Sequence, residues 1–335
     1  MRGIHAASYS SEEASTIAFS DYDLIILTSS WDNRCITLTD SHIESVSSVI
    51  LLLFDDKDEA GVRSKNDTIL KDYSKSISNN QYVIRGNSTS VNSVWNELYD
   101  TVLSVACSIG RPLSILCDLS CCPRYYSLSL LSTCFRFGIA SRIHYFYNEC
   151  TYPEKDDELS LEEVSFTAGR WEAKAINYLA GSHNPGSRNR FTVSIGFEGS
   201  KTLMVLNEFE PDKVNVIIPS PGYSEGYVDR VRSANSELFR SFGVNSENEI
   251  LSHAGDPIDV WAKISKARDA RWNDHYLCAG SKPHSLGLTL AAYSLQYPVL
   301  LYSLPKKHNP IDVIPKPDCW LYEVHNIVVP QGSND

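Results

Sequence analysis

No apolar run in this chain of 335 residues approaches the roughly 20 residues that a helix needs to cross a bilayer, so no helical membrane span is expected. A positive excess is also missing. Acidic residues number 41 against 30 basic ones, for a formal net charge of −11. That field repels polyanions and argues against a general coat for DNA or RNA, while leaving room for a local pocket that takes one small anion. The start, MRGIHAASYSSEEAS, lacks the apolar core of a secretory signal. Together with nine cysteines, an odd number, this leads to an expectation of reduced thiols in a cytoplasmic protein.

Other absences narrow the chemistry. There is no GxGxxG, no GxxxxGK followed by Ser or Thr, and no GxSxG. The usual signs of NAD enzymes, P-loop NTPases and serine hydrolases are therefore lacking, and no cofactor is expected. Cys117, Cys121 and Cys122 lie close in sequence, but Cys117 falls in an apolar run and no CxxC or HxxxH accompanies them. His144 lies within a strand-like run and reads as a satisfied core or edge histidine. No metal site is expected.

What is present is a periodic α/β pattern. Five short apolar segments occupy the first 150 residues, at 24–28, 49–54, 82–85, 112–117 and 142–147. Near-continuous apolar runs suit strands buried on both faces, as in parallel sheets. Helical spacing appears between them at 90–109 and 127–138. The order then repeats, with strands at 191–195, 214–218, 274–278 and 298–302 and a short one at 249–251. The step from first to second strand is about 25 residues in one half and about 23 in the other; from second to penultimate it is about 63 and about 60. The sequence therefore predicts two tandem Rossmann-like halves related by internal duplication, with mainly parallel sheets. The expected divisions are half one at 1–150, a helical linker at 151–190, half two at 191–310 and a C-terminal extension at 311–335. Within the linker a helix is expected near 159–179, with Trp171 on it. The segment 319–329 is expected as an edge strand.

In an open α/β sheet, ligands bind beyond the carboxyl ends of the strands, where the strand order reverses. The loops at that edge echo each other. After the first strands come Ser29, Trp31, Asp32 and Arg34 in one half and Phe197, Glu198 and Lys201 in the other. Each is a small-residue turn with an aromatic, an acid and a base; a core aromatic beside a surface ion pair is the plainer reading. After the penultimate strands come Asp118-Leu119-Ser120-Cys121-Cys122-Pro123-Arg124 and Ala279-Gly280-Ser281-Lys282-Pro283-His284-Ser285. Here small residues let a ligand approach the backbone, the following helix start attracts an anion, and Arg124 or Lys282 meets a phosphate. Gly287, Ala291 and Ala292 are expected to let the last helix pack closely on its sheet. Ser220, in the turn Pro219-Ser220-Pro221-Gly222-Tyr223, stands where such loops often touch a ribose. The matching run Asp55-Asp56-Lys57-Asp58 reads as solvated charge.

The turn at 280–285 resembles the Gly-Thr-Lys-x-Met loop of CARF domains, the CRISPR-associated Rossmann fold sensors. The turn at 118–124 is similar to the Asp-x-Ser/Thr-His-Gly-x-Arg loop of other members. Ala279-Gly280 replaces a Gly-Gly pair, Ser281 replaces Thr, and His284 stands at the Met position; no nuclease domain is recognisable. The resemblance implies a cyclic oligoadenylate or related nucleotide bound between two halves, a protein partner that carries the effector activity, and a place in prokaryotic antiviral defence. Two other readings stay open. One is an enzyme in which Arg124 and Lys282 hold phosphate while Asp118 or Glu198 acts as acid or base. The other is a ligand-free scaffold subunit, which a cleft filled by apolar side chains and a solvated Lys282 would favour.

Overall fold

The computed structural model describes residues 3–14, 21–41, 43, 45–54, 61–87, 91–151, 167–304, 307–308 and 313–327. The acidic run 55–58, the charged part of the linker and the terminal QGSND lie outside the described residues.

In order, the first half contains β1 (Gly3–Ser10), α1 (Ser11–Ala14), β2 (Leu24–Thr28), a 3₁₀ segment Asn33–Asp40, β3 (Ser48–Phe54), α2 (Val62–Ile77), β4 (Gln81–Gly86), α3 (Val91–Ile109), β5 (Leu113–Asp118), α4 (Arg124–Arg136) and β6 (Ala140–Thr151). Two short strands follow, β7 (Thr167–Ala168) and β8 (Glu172–Ala175). The second half contains β9 (Arg188–Ser194), α5 (Gly199–Phe209), β10 (Lys213–Pro219), α6 (Tyr227–Ala234), α7 (Ser236–Phe242), β11 (Glu249–Ser252), α8 (Pro257–Lys266), β12 (Trp272–Cys278), α9 (Lys282–Leu295) and β13 (Val299–Leu304). The chain closes with β14 (Lys307–His308) and β15 (Ile314–Ile327).

The duplication is explicit in the sheets. One runs β1-β15-β6-β5-β2-β3-β4, the other β11-β10-β9-β12-β13-β8. In each half the five core strands stand in the order third, second, first, fourth, fifth, and every core pairing is parallel. The apolar runs behave as expected of doubly covered strands: all of β2, β3 and β5 is buried. An antiparallel strand lies outside each fifth strand, β15 on β6 and β8 on β13.

The two halves share one apolar core, with α4 packed on α9. Phe135 of α4 meets Tyr293 of α9 edge-on, ring centroids 6.0 Å apart. These helices follow the fourth strand of their respective halves, so the pseudo-two-fold relation runs between them.

Three expectations need correction. The described part of the linker is not helical: it holds β7 and β8, and Trp171 sits buried between them. Strand β15 is not an edge. It lies between β6 and the N-terminal strand β1, which forms the edge. Gly287 packs α9 on α8 and not on the sheet, since a Cβ there would lie 2.5 Å from the Pro257 carbonyl oxygen and 2.7 Å from Val260 Cβ. Gly287→Ala is therefore expected to destabilise the fold by about 1–3 kcal/mol, despite alanine's better helix propensity. Urea unfolding of the variant beside the wild type checks this; unchanged stability would show that α8 can yield.

Candidate functional site

The reversal of strand order falls between β2 and β5 in half one and between β9 and β12 in half two. Four turns leave these strands, and all four converge on one cavity of about 290 Å³. That is the lower end of the roughly 300–1,000 Å³ common for small-molecule pockets.

The first-strand turns are built alike. After β2, Asp32 caps the 3₁₀ segment, its Oδ1 accepting from the Arg34 amide at 3.0 Å. The same carboxylate pairs with the Arg34 guanidinium at 2.6 Å. Arg34 is buried; burial alone would lower its pKa, but the charge and hydrogen bond of Asp32 together with the neighbouring Cys150 and Tyr147 raise it on balance. Trp31 lies beneath the guanidinium of Arg63, 4.6 Å from the ring centroid. After β9, Glu198 pairs with Lys201 at 2.9 Å, and Arg230 lies 5.2 Å over Phe197. Both covering arginines come from the helix after the second strand, α2 and α6. The first ion pair is thus a buried one, contrary to the plainer reading.

The penultimate turns exchange contacts across the pseudo-two-fold. Lys282, the first residue of α9, donates from Nζ to the Ser120 carbonyl at 2.6 Å. Arg124, the first residue of α4, donates from Nη2 to the Gly280 carbonyl. Each helix start thus holds the turn of the other half. Ser281 caps α9, its Oγ accepting from the His284 amide at 3.2 Å. A Cβ on Gly280 would lie 2.6 Å from the Ile195 carbonyl oxygen, so only glycine lets this turn lie against β9. Lys282 is half-buried, and this burial lowers its pKa.

Of the expected site residues, Ser29, Trp31, Asp32, Arg34, Ser120, Arg124, Glu198, Gly280, Ser281 and Lys282 line the cavity. Four do not. Asp118 lies behind the turn, its Oδ1 accepting from the Ser120 amide at 2.8 Å. Burial raises its pKa to about 6, with Lys282 opposing the rise. Lys201 is held by Glu198 and by Thr167 Oγ1 at 2.8 Å. Ser220 turns toward β11, its amide donating to the Ser252 carbonyl at 2.7 Å. His284 points into the protein, with Nε2 donating to the His253 carbonyl at 2.9 Å, and burial pushes its pKa down to about 4.

The wall includes residues the sequence reading missed. Arg63, Tyr125, Tyr147, Trp171, Tyr227 and Tyr302 all contribute. Trp171 donates from Nε1 to Thr167 Oγ1 at 2.8 Å. Among the described residues of the wall, four cations (Arg34, Arg63, Arg124, Lys282) face two carboxylates (Asp32, Glu198). Arg124 Nε, Tyr302 Oη and Ser303 Oγ are buried with no hydrogen-bond partner among the described residues. Buried polar atoms of this kind call for a partner.

Comparison with known proteins adds little to this geometry. No family model matches the chain, and no curated protein matches it. Among solved structures, the cytoplasmic domain of a prokaryotic cation chloride cotransporter is 12% identical with a TM-score of 0.27, covering 85% of this chain and 96% of that one. A universal stress protein from Archaeoglobus fulgidus DSM 4304 is 12% identical with a TM-score of 0.23, covering 86% of this chain and 98% of that one. The architecture described above rests on strand order and register. Among the described residues no helix is long and apolar enough to cross a membrane.

Proposed function

We propose that the protein is a sensor of a nucleotide-type anionic ligand, held in the cleft between its two halves. The observation that carries this reading is the reciprocal exchange at the cavity, with Lys282 on Ser120 and Arg124 on Gly280. Two equivalent turns thereby bring cations, small residues and unpartnered donors to one enclosed space. In a chain of net charge −11, a wall richer in cations than in carboxylates is a local focus for an anion. The aromatic side chains around it offer faces for bases to stack on.

The mechanism is a population shift. A ligand that engages both turns favours one relative placement of α4 and α9, and a partner protein reads that placement. The CARF-like reading belongs here: a ligand with two-fold character, such as a cyclic di- or oligoadenylate, matches contacts supplied twice. The enzyme reading finds less support, since Asp118 is off the wall and Glu198 is bound up with Lys201 and Thr167. The scaffold reading asked for a solvated Lys282, and this lysine is half-buried with its Nζ donating to the Ser120 carbonyl.

Calorimetric titration of the chain with cyclic dinucleotides and cyclic oligoadenylates tests the proposal. One ligand per chain, bound without turnover, is the expected result. Heat absent across the whole panel overturns the cyclic-nucleotide reading.

A further inference from the structure

A second site lies on the other face of the first sheet, among the antiparallel strands that flank the Rossmann-like core. His144 of β6 stands directly opposite Glu323 of β15, and His325 follows two residues on, on the same face. One carboxylate oxygen, Glu323 Oε1, lies 2.9 Å from His144 Nε2 and 3.3 Å from His325 Nε2. The donor atoms of all three side chains fall within 4.8 Å of one another. Ligands around a tetrahedral zinc ion, at bond lengths near 2.0–2.1 Å, stand about 3.3 Å apart.

Two features distinguish this cluster from an ordinary ion-pair network. His144 is 4% exposed, and its Nε2 has no aligned hydrogen-bond partner despite the nearby carboxylate. That nitrogen and His325 Nε2 both lie close to the same carboxylate oxygen, Glu323 Oε1. The outer supports are also in place. The other ring nitrogen of His144, Nδ1, is 2.6 Å from the Tyr22 hydroxyl, and in the tautomer where Nδ1–H donates to that oxygen the Nε2 lone pair is available to a metal. Tyr9 donates to the second oxygen of Glu323 at 3.1 Å. Metal-binding histidines and carboxylates are typically oriented by partners of this kind. The neighbouring cation, Arg142, is held away by Ser114 Oγ at 2.6 Å and the Asp21 carbonyl at 2.9 Å.

We propose that His144, Glu323 and His325 bind one divalent transition-metal ion of the zinc class. Two imidazoles and one carboxylate supply three donors, and the fourth position faces water, because Glu323 and His325 are partly exposed. The ion joins β15 to β6 and so fixes the C-terminal strand inside the first sheet. The cavity described above lies at the carboxyl ends of the strands, and Tyr147, its wall residue on β6, faces the opposite side of the sheet from His144.

The test uses the full chain, stripped with a chelator, loaded with zinc or cobalt and dialysed. The wild type is expected to retain one equivalent of either metal. Its cobalt spectrum should lack the near-ultraviolet charge-transfer band that a thiolate ligand adds, which separates this site from the nine cysteines. The double variant Glu323→Gln with His325→Asn should lose retention while its far-ultraviolet circular dichroism stays unchanged. Tyr22→Phe, which removes only the support of His144, should bind zinc about 10-fold more weakly. Equal zinc retention by wild type and double variant, no retention by the wild type, or a thiolate band in the cobalt spectrum overturns the proposal.

Discussion

Lys282→Met is expected to weaken binding of a phosphate-bearing ligand on the order of 100-fold, as is typical for removing one member of a desolvated, hydrogen-bonded charge contact. The substitution keeps the length and apolar stem of the side chain, so the fold should persist. What disappears is the only positive charge that α9 brings to the cavity wall. Arg124→Gln should have a similar effect, because Arg124 holds the equivalent place at the start of α4. Lys266→Ala, an exposed site at the end of α8, serves as the control and should bind as the wild type does. Isothermal titration with the best ligand of the panel provides the measurement. If the Lys282 variant binds like Lys266→Ala, the cavity is not where the anion sits.

Replacing Asp118 by Asn should change how stability depends on pH. The carboxyl group has an ordinary pKa of 3.8 and is raised to about 6 in the folded chain, because burial disfavours its charged form. Between those values the folded protein keeps a proton that the unfolded chain has lost. The folded state is therefore favoured at low pH, and that advantage fades as pH rises to 6. The total is about 3 kcal/mol, in place as a penalty at neutral pH. Asn at this position can still accept from the Ser120 amide but never ionises. The stability of Asp118→Asn relative to wild type should thus climb by about 2–2.5 kcal/mol from pH 4 to pH 7 in urea titrations. His284 acts in the opposite direction. Its pKa falls to about 4, so its contribution to stability rises with pH through that same window and is lost on acidification. The wild-type profile mixes the two, which is why the comparison must be between variant and parent. A difference that does not vary with pH would show that Asp118 titrates as an exposed acid.

The core of each half is legible in the sequence because each parallel strand is locally apolar and bounded by its own turns. The runs at 24–28 and 49–54 are strands for reasons contained within them. Strand β15 is different. Its Leu321, Tyr322 and Val324 are buried on the two faces of the sheet, yet its neighbours are β6 and β1, and β1 lies some three hundred residues upstream. No local signal carries that pairing. Trp171 was misplaced for a related reason. Its surroundings are charged, and its buried position comes from Thr167 and the cavity, not from helical periodicity. In the site, the four turns could be found because duplication displays them twice. Arg63 had no such echo in sequence, since it is the second residue of its helix while its counterpart Arg230 is the fourth, although both helices begin eight residues after their strands. Ser220 and His284 were drawn in by proximity to the right loops. The Ser220 amide is taken up by the neighbouring strand and the His284 side chain fills the space behind a helix cap, and placement of that sort is set by tertiary packing.

Covalent fusion of the two halves has a consequence for what can be recognised. In a dimer of identical subunits, both sides of a shared pocket must carry the same residues, so a ligand can lie in either of two equivalent poses. Here the facing turns differ: one presents Ser120, Cys121 and Arg124, the other Gly280, Ser281 and Lys282. A molecule held between them meets a guanidinium at one end and an ammonium at the other. A ligand whose two ends differ would thereby bind in a single orientation, a symmetric one would meet two unlike contacts, and in neither case would affinity fall when the protein is diluted.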